Sequence, residues 1–223
     1  MAEKFNTKNL TKIELAAQLK KPTGTDGLEV GKQMNKGNKH ICLNSYKVLA
    51  PKSDSTILEI GMGNGLFVKD LISMANNLEY IGLDYSELMV KEAIKLNQNL
   101  IINSNVSFVN GSIEKLPFKN ESLDYITTTN TVYFWPNLLK NTKELHRVLK
   151  PNGKLLIGYR SKTLMDKIEL SKYGFNKFEG SDIENILSEV GFTKIDTEVI
   201  LEPDLDFDGK PIKMEGLYTI GIK

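Results

Sequence analysis

One cysteine in 223 residues, Cys42, rules out an intrachain disulfide. Such a chain suits a reducing, cytoplasmic setting. Cys42 stands among Ile41, Leu43 and Tyr46 and reads as a small buried apolar residue. Only two histidines occur, His40 and His146. They form no Cys/His cluster, so no metal is expected. The formal net charge is +1, and nothing global draws the chain to nucleic acid or to a membrane surface. No run approaches the roughly 20 apolar residues needed to cross a bilayer. Met1 to Lys12 is polar and lacks the apolar core of a signal peptide. What is left is ordinary: 40% hydrophobic and 26% charged residues, in a chain long enough to bury a substantial core. The first fifty residues carry nine Lys against four Asp/Glu. A solvated helical surface explains that bias; an anionic partner is the alternative.

Thr11-x-x-Glu14 reads as a capping box opening a short helix, stopped by Pro22, Gly24 and Gly27. A second helix is expected from about 28 to 36, broken by Gly37-Asn38, and a third from about 39 to 50, stopped by Pro51. From Thr56 strand and helix signals alternate. Strands are expected at 56–60, 79–84, 106–109, 122–128 and 154–159. Helices are expected at about 65–75, after Ser86 to about 99, from Pro136 to about 149, and at 181–190 before Gly191. Pro151-Asn152-Gly153 reads as a turn. Two extended runs, 193–201 and 215–222, joined through Asp208-Gly209, read as an antiparallel hairpin. The pattern predicts an α/β fold with an open, doubly wound, mostly parallel sheet of seven strands. It ends in an antiparallel edge hairpin and is preceded by a helical cap over residues 1–50.

The stretch Thr56-Ile57-Leu58-Glu59-Ile60-Gly61-Met62-Gly63-Asn64-Gly65 runs from an apolar strand into three glycines spaced two apart. Such a turn lets a ligand approach the backbone. It resembles a dinucleotide turn, but Leu66 stands where that fingerprint has its third glycine, and Glu59 is foreign to it. Asp84 closes the next strand, nineteen residues after Gly65. There a carboxylate can accept hydrogen bonds from both hydroxyls of a ribose.

Four stretches, ILEIGMGNG (57–65), YIGLDYS (80–86), VNGSIEKLPFKNESLDYITTTNTVYFWPN (109–137) and ELHRVLKPNGKLLIG (144–158), resemble the class I S-adenosylmethionine-dependent methyltransferases. Within them the chain is similar to the small-molecule branch that includes the ubiquinone/menaquinone-biosynthesis C-methyltransferases. The resemblance implies a Rossmann-like methyltransferase domain over 51–223. It implies S-adenosyl-L-methionine as cofactor and S-adenosyl-L-homocysteine as product. It places Gly61, Met62 and Gly63 at the methionine part of the cofactor, with Glu59 beneath. Asp84 falls on the ribose and Tyr85 on the adenine. Ser112 and Ile113 border the adenine edge, and Thr129 and Asn130 meet the methionine amino end. Ser112 replaces an Asp common in relatives, so it accepts without charge assistance.

The acceptor is expected to be a small molecule rather than a nucleic acid or protein, with neither a metal nor a covalent nucleophile required. Tyr133, Phe134 and Trp135 follow the fourth strand at the ligand-binding edge. Tyr133 and Trp135 are the expected aromatic wall, Arg160 a rim cation and His40 a general-base candidate; no catalytic residue is assigned. Met34, Asn35, Gly37 and Asn38 are expected in a lid hinged at Gly37-Asn38. A protein that binds the cofactor without catalysis, an RNA or protein methyltransferase, and a nicotinamide oxidoreductase are the competing readings; the sequence leaves oligomeric state open.

Overall fold

The computed structural model describes residues 10–207 and 210–223. The polar stretch before Leu10 and the Asp208-Gly209 turn lie outside the described residues. Thr11 opens helix α1 (Lys12–Lys20) with the expected capping box, its hydroxyl and Glu14 bonding reciprocally. Helix α2 then runs unbroken from Gly24 to Leu49. The break expected at Gly37-Asn38 is absent. A glycine inside a helix costs about 1 kcal/mol relative to alanine but still donates its N–H. The buried stripe of Val30, Ile41, Tyr46 and Leu49 holds both halves as one rod.

Strands β1 (Thr56–Ile60) and β2 (Glu79–Asp84) have the expected limits. Between them α3 (Val68–Ile72) is shorter than expected, because Gly65 to Phe67 stay in the turn. Ser86 caps α4 (Glu87–Leu96) by accepting from the Met89 N–H. The helix stops at Asn97, whose amide bonds the carbonyls of Gly65 and Ala93, and α5 (Gln98–Asn103) follows. Strands β3 (Val106–Asn110) and β4 (Leu123–Thr129) precede α6 (Leu138–Val148). Pro136 falls just outside that helix, because Asn137 takes the cap. Strand β5 (Leu149–Tyr159) absorbs the Pro151–Gly153 turn as an irregularity, with Asn152 at φ 65°. After α7 (Lys162–Met165) and α8 (Gly180–Val190), β6 (Thr193–Phe207) and β7 (Lys210–Ile222) form a hairpin longer than expected.

Among the described residues seven strands form one sheet in the order β3-β2-β1-β4-β5-β7-β6. All neighbours are parallel except the pairs that include β7. Alternation along the strands splits the core in two. Leu58, Ile126, Leu155 and Ile157 pack under α6 and α8, and Ile57, Tyr125 and Leu156 under α2 and α3. Strand order reverses between β1 and β4, so the C-terminal ends of β1, β2 and β4 open on one edge at a topological switch point. Among the described residues no helix is long and apolar enough to cross a membrane.

Candidate active site

At that edge lies a cavity of about 230 Å³. Its floor is the turn after β1. Gly61, Gly63 and Gly65 all hold left-handed φ, at 74°, 60° and 69°, which a side chain would strain. Their side-chain-free faces serve different ends. A Cβ on Gly65 would fall 2.8 Å from the Asn97 amide, so that glycine lets the turn pack on α4. A Cβ on Gly61 would strike Thr131, so Gly61 admits the loop after β4. A Cβ on Gly63 would meet nothing within 4 Å. Gly63 lines the cavity and leaves its backbone open to a ligand. The helix that follows is only five residues long, so the turn's own backbone is what matters here.

Asp84, 8% exposed, is fixed by two backbone donors, the Gly63 N–H to Oδ2 at 2.9 Å and the Ser86 N–H to Oδ1 at 2.8 Å. Burial pushes its carboxyl up to about 6, against the pull of those two donors. Each oxygen keeps a lone pair for a further donor. Glu59, buried beneath the turn, accepts from Tyr46 and Tyr80. Burial raises its carboxyl, and the two hydroxyls oppose that rise.

Every residue expected at the cofactor lines this cavity: Glu59, Gly61, Met62, Gly63, Asp84, Tyr85, Ser112, Ile113, Thr129 and Asn130. Tyr85 is half-exposed, with the Lys21 ammonium 4.0 Å from its ring centre. Ser112 accepts from the Glu114 N–H at 3.2 Å. Asn130 holds a left-handed φ of 56°, and its amide donates to Asn38 Oδ1 at 3.0 Å. Met34, Asn35 and Asn38 of α2 line the cavity from above.

Of the four residues expected at the substrate pocket, Tyr133, Arg160 and His40 lie off this cavity. Trp135 lines the cavity, and its indole N–H donates to Thr131 at 3.1 Å. Tyr133 does not: the short 3-10 turn Val132–Phe134 swings it into the core. There its hydroxyl accepts from the Arg160 N–H and donates to Asn130 Oδ1. Phe134 takes its place at the cavity. Arg160 is buried away from the cavity, paired with Glu202 at 2.8 Å and donating to the Glu215 carbonyl at 2.7 Å. His40 sits on the exposed side of α2 and does not line the cavity. Cys42 does line it, but burial and the nearby Glu59 push its thiol far up, and a neutral thiol is a poor nucleophile. Thr131, Phe67 and Tyr46 join the lining without having been expected. Tyr46 had a signal, the apolar face of its helix; Thr131 and Phe67 had none beyond proximity. Among the described residues no group of three or more His, Cys, Asp or Glu is placed to hold a metal.

A glycine turn and a strand-end carboxylate, joined at the switch point of a doubly wound sheet, define a protein that binds a nucleoside-type cofactor. Residues 58–157 match the family model described as a methyltransferase domain. Over 179 residues, covering 78% of this chain and 72% of the other, the sequence is 30% identical to the ubiquinone/menaquinone biosynthesis C-methyltransferase UbiE of Rickettsia massiliae. With the protein of the same name from Rickettsia typhi it is 32% identical over 127 residues, 55% of this chain and 51% of that one, so the match spans about half of that relative's length. A chain from the complex between the Haloferax volcanii Trm112 methyltransferase activator and a methyltransferase superposes with a TM-score of 0.74 at 18% identity, covering 96% and 99% of the two chains. The chain belongs to the class I S-adenosylmethionine-dependent methyltransferases, and S-adenosylmethionine is the cofactor.

Proposed function

We propose that the protein transfers a methyl group from S-adenosylmethionine to a small, largely uncharged acceptor, releasing S-adenosylhomocysteine. The observation that carries this is one cavity whose lining combines two chemistries. Gly63, Asp84 and Glu59 form the cofactor side. Met34, Phe134, Trp135 and Pro136 add apolar surface to the same lining, and Asn35 and Asn38 add amides. An aromatic and amide lining suits a planar, neutral molecule.

The residues fit the cofactor. Gly63 leaves open space where a side chain would stand, and Asp84 is held with a lone pair free on each oxygen. In this reading Asp84 takes the ribose hydroxyls, and Tyr85, Ser112 and Ile113 border the base. Glu59, Thr129 and Asn130 face the methionine end, with the Gly61-Met62-Gly63 backbone between. The bound cofactor supplies a methyl group already made electrophilic by its sulfonium. The chain's task is then to hold an acceptor in line and exclude water. Residues 1–50 serve as the cap and 51–223 as the catalytic domain, in a reducing, cytoplasmic setting. Helix α2 covers the cavity as a fixed roof, with Asn130 and Asn38 joined across it.

Incubating the protein with methyl-labelled cofactor and separated metabolite, RNA and protein fractions tests the proposal. Label is expected in a metabolite fraction, with activity only weakly dependent on salt. Label in RNA, with a steep loss at higher salt, contradicts it. Stoichiometric cofactor binding without label in any fraction favours a silent binding protein.

A further inference from the structure

Both oxygens of the buried Glu59 carboxylate already have a donor. Tyr46, from α2, reaches Oε1 at 2.8 Å, and Tyr80, from β2, reaches Oε2 at 2.6 Å. Room for the second is made by Gly82, in register with Glu59, where a Cβ would lie 3.0 Å from the Tyr80 hydroxyl. Tyr46 lines the cavity beside Glu59; Tyr80 does not, and stands behind it. Among the described residues, the elements packed around Glu59 offer it no cation. Helix α2 brings Cys42 and Tyr46, β2 brings Tyr80 and Asp84, and the residue in register on β4 is Thr127. Asp84 carries a charge of the same sign and raises the Glu59 carboxyl further. A carboxyl so buried takes up a proton unless donors hold its charged form.

We propose that Tyr46 and Tyr80 are positioning residues that keep Glu59 an anion at the cavity floor, ready for the cationic amino group of the cofactor's methionine end. The two hydroxyls favour the carboxylate over the acid, and they leave each oxygen a lone pair for an arriving ammonium. Because Tyr46 belongs to α2, the charge at the floor depends on the roof being seated. This inference rests on the cofactor reading above.

Calorimetry with S-adenosylhomocysteine and with 5′-methylthioadenosine, which lacks the amino-acid end, separates the possibilities. It is run across pH on the wild type, Tyr46→Phe, Tyr80→Phe and Glu59→Gln. Each tyrosine variant is expected to bind S-adenosylhomocysteine about threefold to tenfold more weakly, and methylthioadenosine as the wild type does. The ratio of the two affinities isolates Glu59, since Asp84 serves both ligands. Its fall with acid is expected to move to higher pH in Tyr46→Phe and Tyr80→Phe, because the protonated carboxyl is then favoured. Added to Glu59→Gln, neither tyrosine change is expected to alter the ratio further. Equal loss of both ligands, or an unmoved pH profile, overturns the proposal and leaves the tyrosines a packing role only. Either variant alone decides, so failure of one to fold leaves the other to read. A wild type that binds neither ligand overturns the cofactor reading, and the tyrosine clamp with it.

Discussion

Asp84 is set in place before any ligand arrives, by the N–H groups of Gly63 and Ser86, and its charge has opposite consequences for stability and for binding. Its carboxyl is raised from 3.8 to about 6 by burial. The folded protein therefore holds that proton more tightly than the unfolded chain. The contribution of Asp84 to cofactor-free stability is present below 3.8 and is lost as pH rises through about 6. Cofactor binding needs the anion, so affinity for S-adenosylhomocysteine is expected to fall as pH drops through about 6. Denaturant melts and calorimetry across this window check the two slopes; slopes of the same sign contradict the assignment. The glycines give a second residue-level test. Gly63→Ala is expected to cost about 1–2 kcal/mol of stability from its positive φ and to weaken cofactor binding further by entering the cavity. Gly61→Ala is expected to destabilise by pushing Thr131, with partial recovery in Gly61→Ala/Thr131→Ser; thermal melts of the single and double variants read this. These glycines and Asp84 were legible because strand, turn and spacing are local signals. Tyr46 and Tyr80 were not, since they meet Glu59 from 13 and 21 residues away. The inward turn of Tyr133 depends on one 3-10 turn that three consecutive aromatics do not announce.

Helix α2 shows how packing overrides a local signal. Gly37-Asn38 reads as a break, yet the helix passes through it with Val30 buried on one side and Ile41 on the other. A Cβ at Gly37 would meet nothing within 4 Å. Gly37→Ala is therefore expected to stabilise the protein by about 0.5–1 kcal/mol and to leave turnover unchanged. Loss of turnover at unchanged cofactor affinity would restore a hinge. Gly27 and Gly31 differ, because their bare faces meet Pro22 and Met89 at 2.8 and 3.0 Å. The strands were read well, since alternation and flanking turns mark them. The hairpin was read short, and with it the partner of Arg160 was missed. Glu202 lies in the part of β6 beyond the expected strand, 42 residues from Arg160.

For the whole molecule, the open, mostly parallel sheet was legible from alternation of strand and helix signals, and the strand order that the structure adds places the site at one edge. A helical cap carrying Met34, Asn35 and Asn38 was expected there; how α1 and α2 dock was not legible, because nothing local says where a helix docks. The structure lays α1 and α2 over the cavity, with Leu19 and Lys20 in its lining and the Ser86 hydroxyl donating to the Pro22 carbonyl at 2.5 Å. Deleting residues 1–20 removes α1 and keeps α2, whose Val30, Ile41 and Leu49 belong to the core. Turnover is expected to fall more than cofactor affinity, read by labelled-methyl assay against calorimetry; equal losses contradict a role for α1 in closing the site. The central claim is that this cavity is an S-adenosylmethionine site anchored by Asp84. Calorimetry of S-adenosylhomocysteine with the wild type and Asp84→Ala tests it most directly. One-to-one binding is predicted for the wild type, weakened in the variant by about 1–3 kcal/mol, or roughly fivefold to 150-fold. No binding by the wild type, or the same affinity in both proteins, would contradict it.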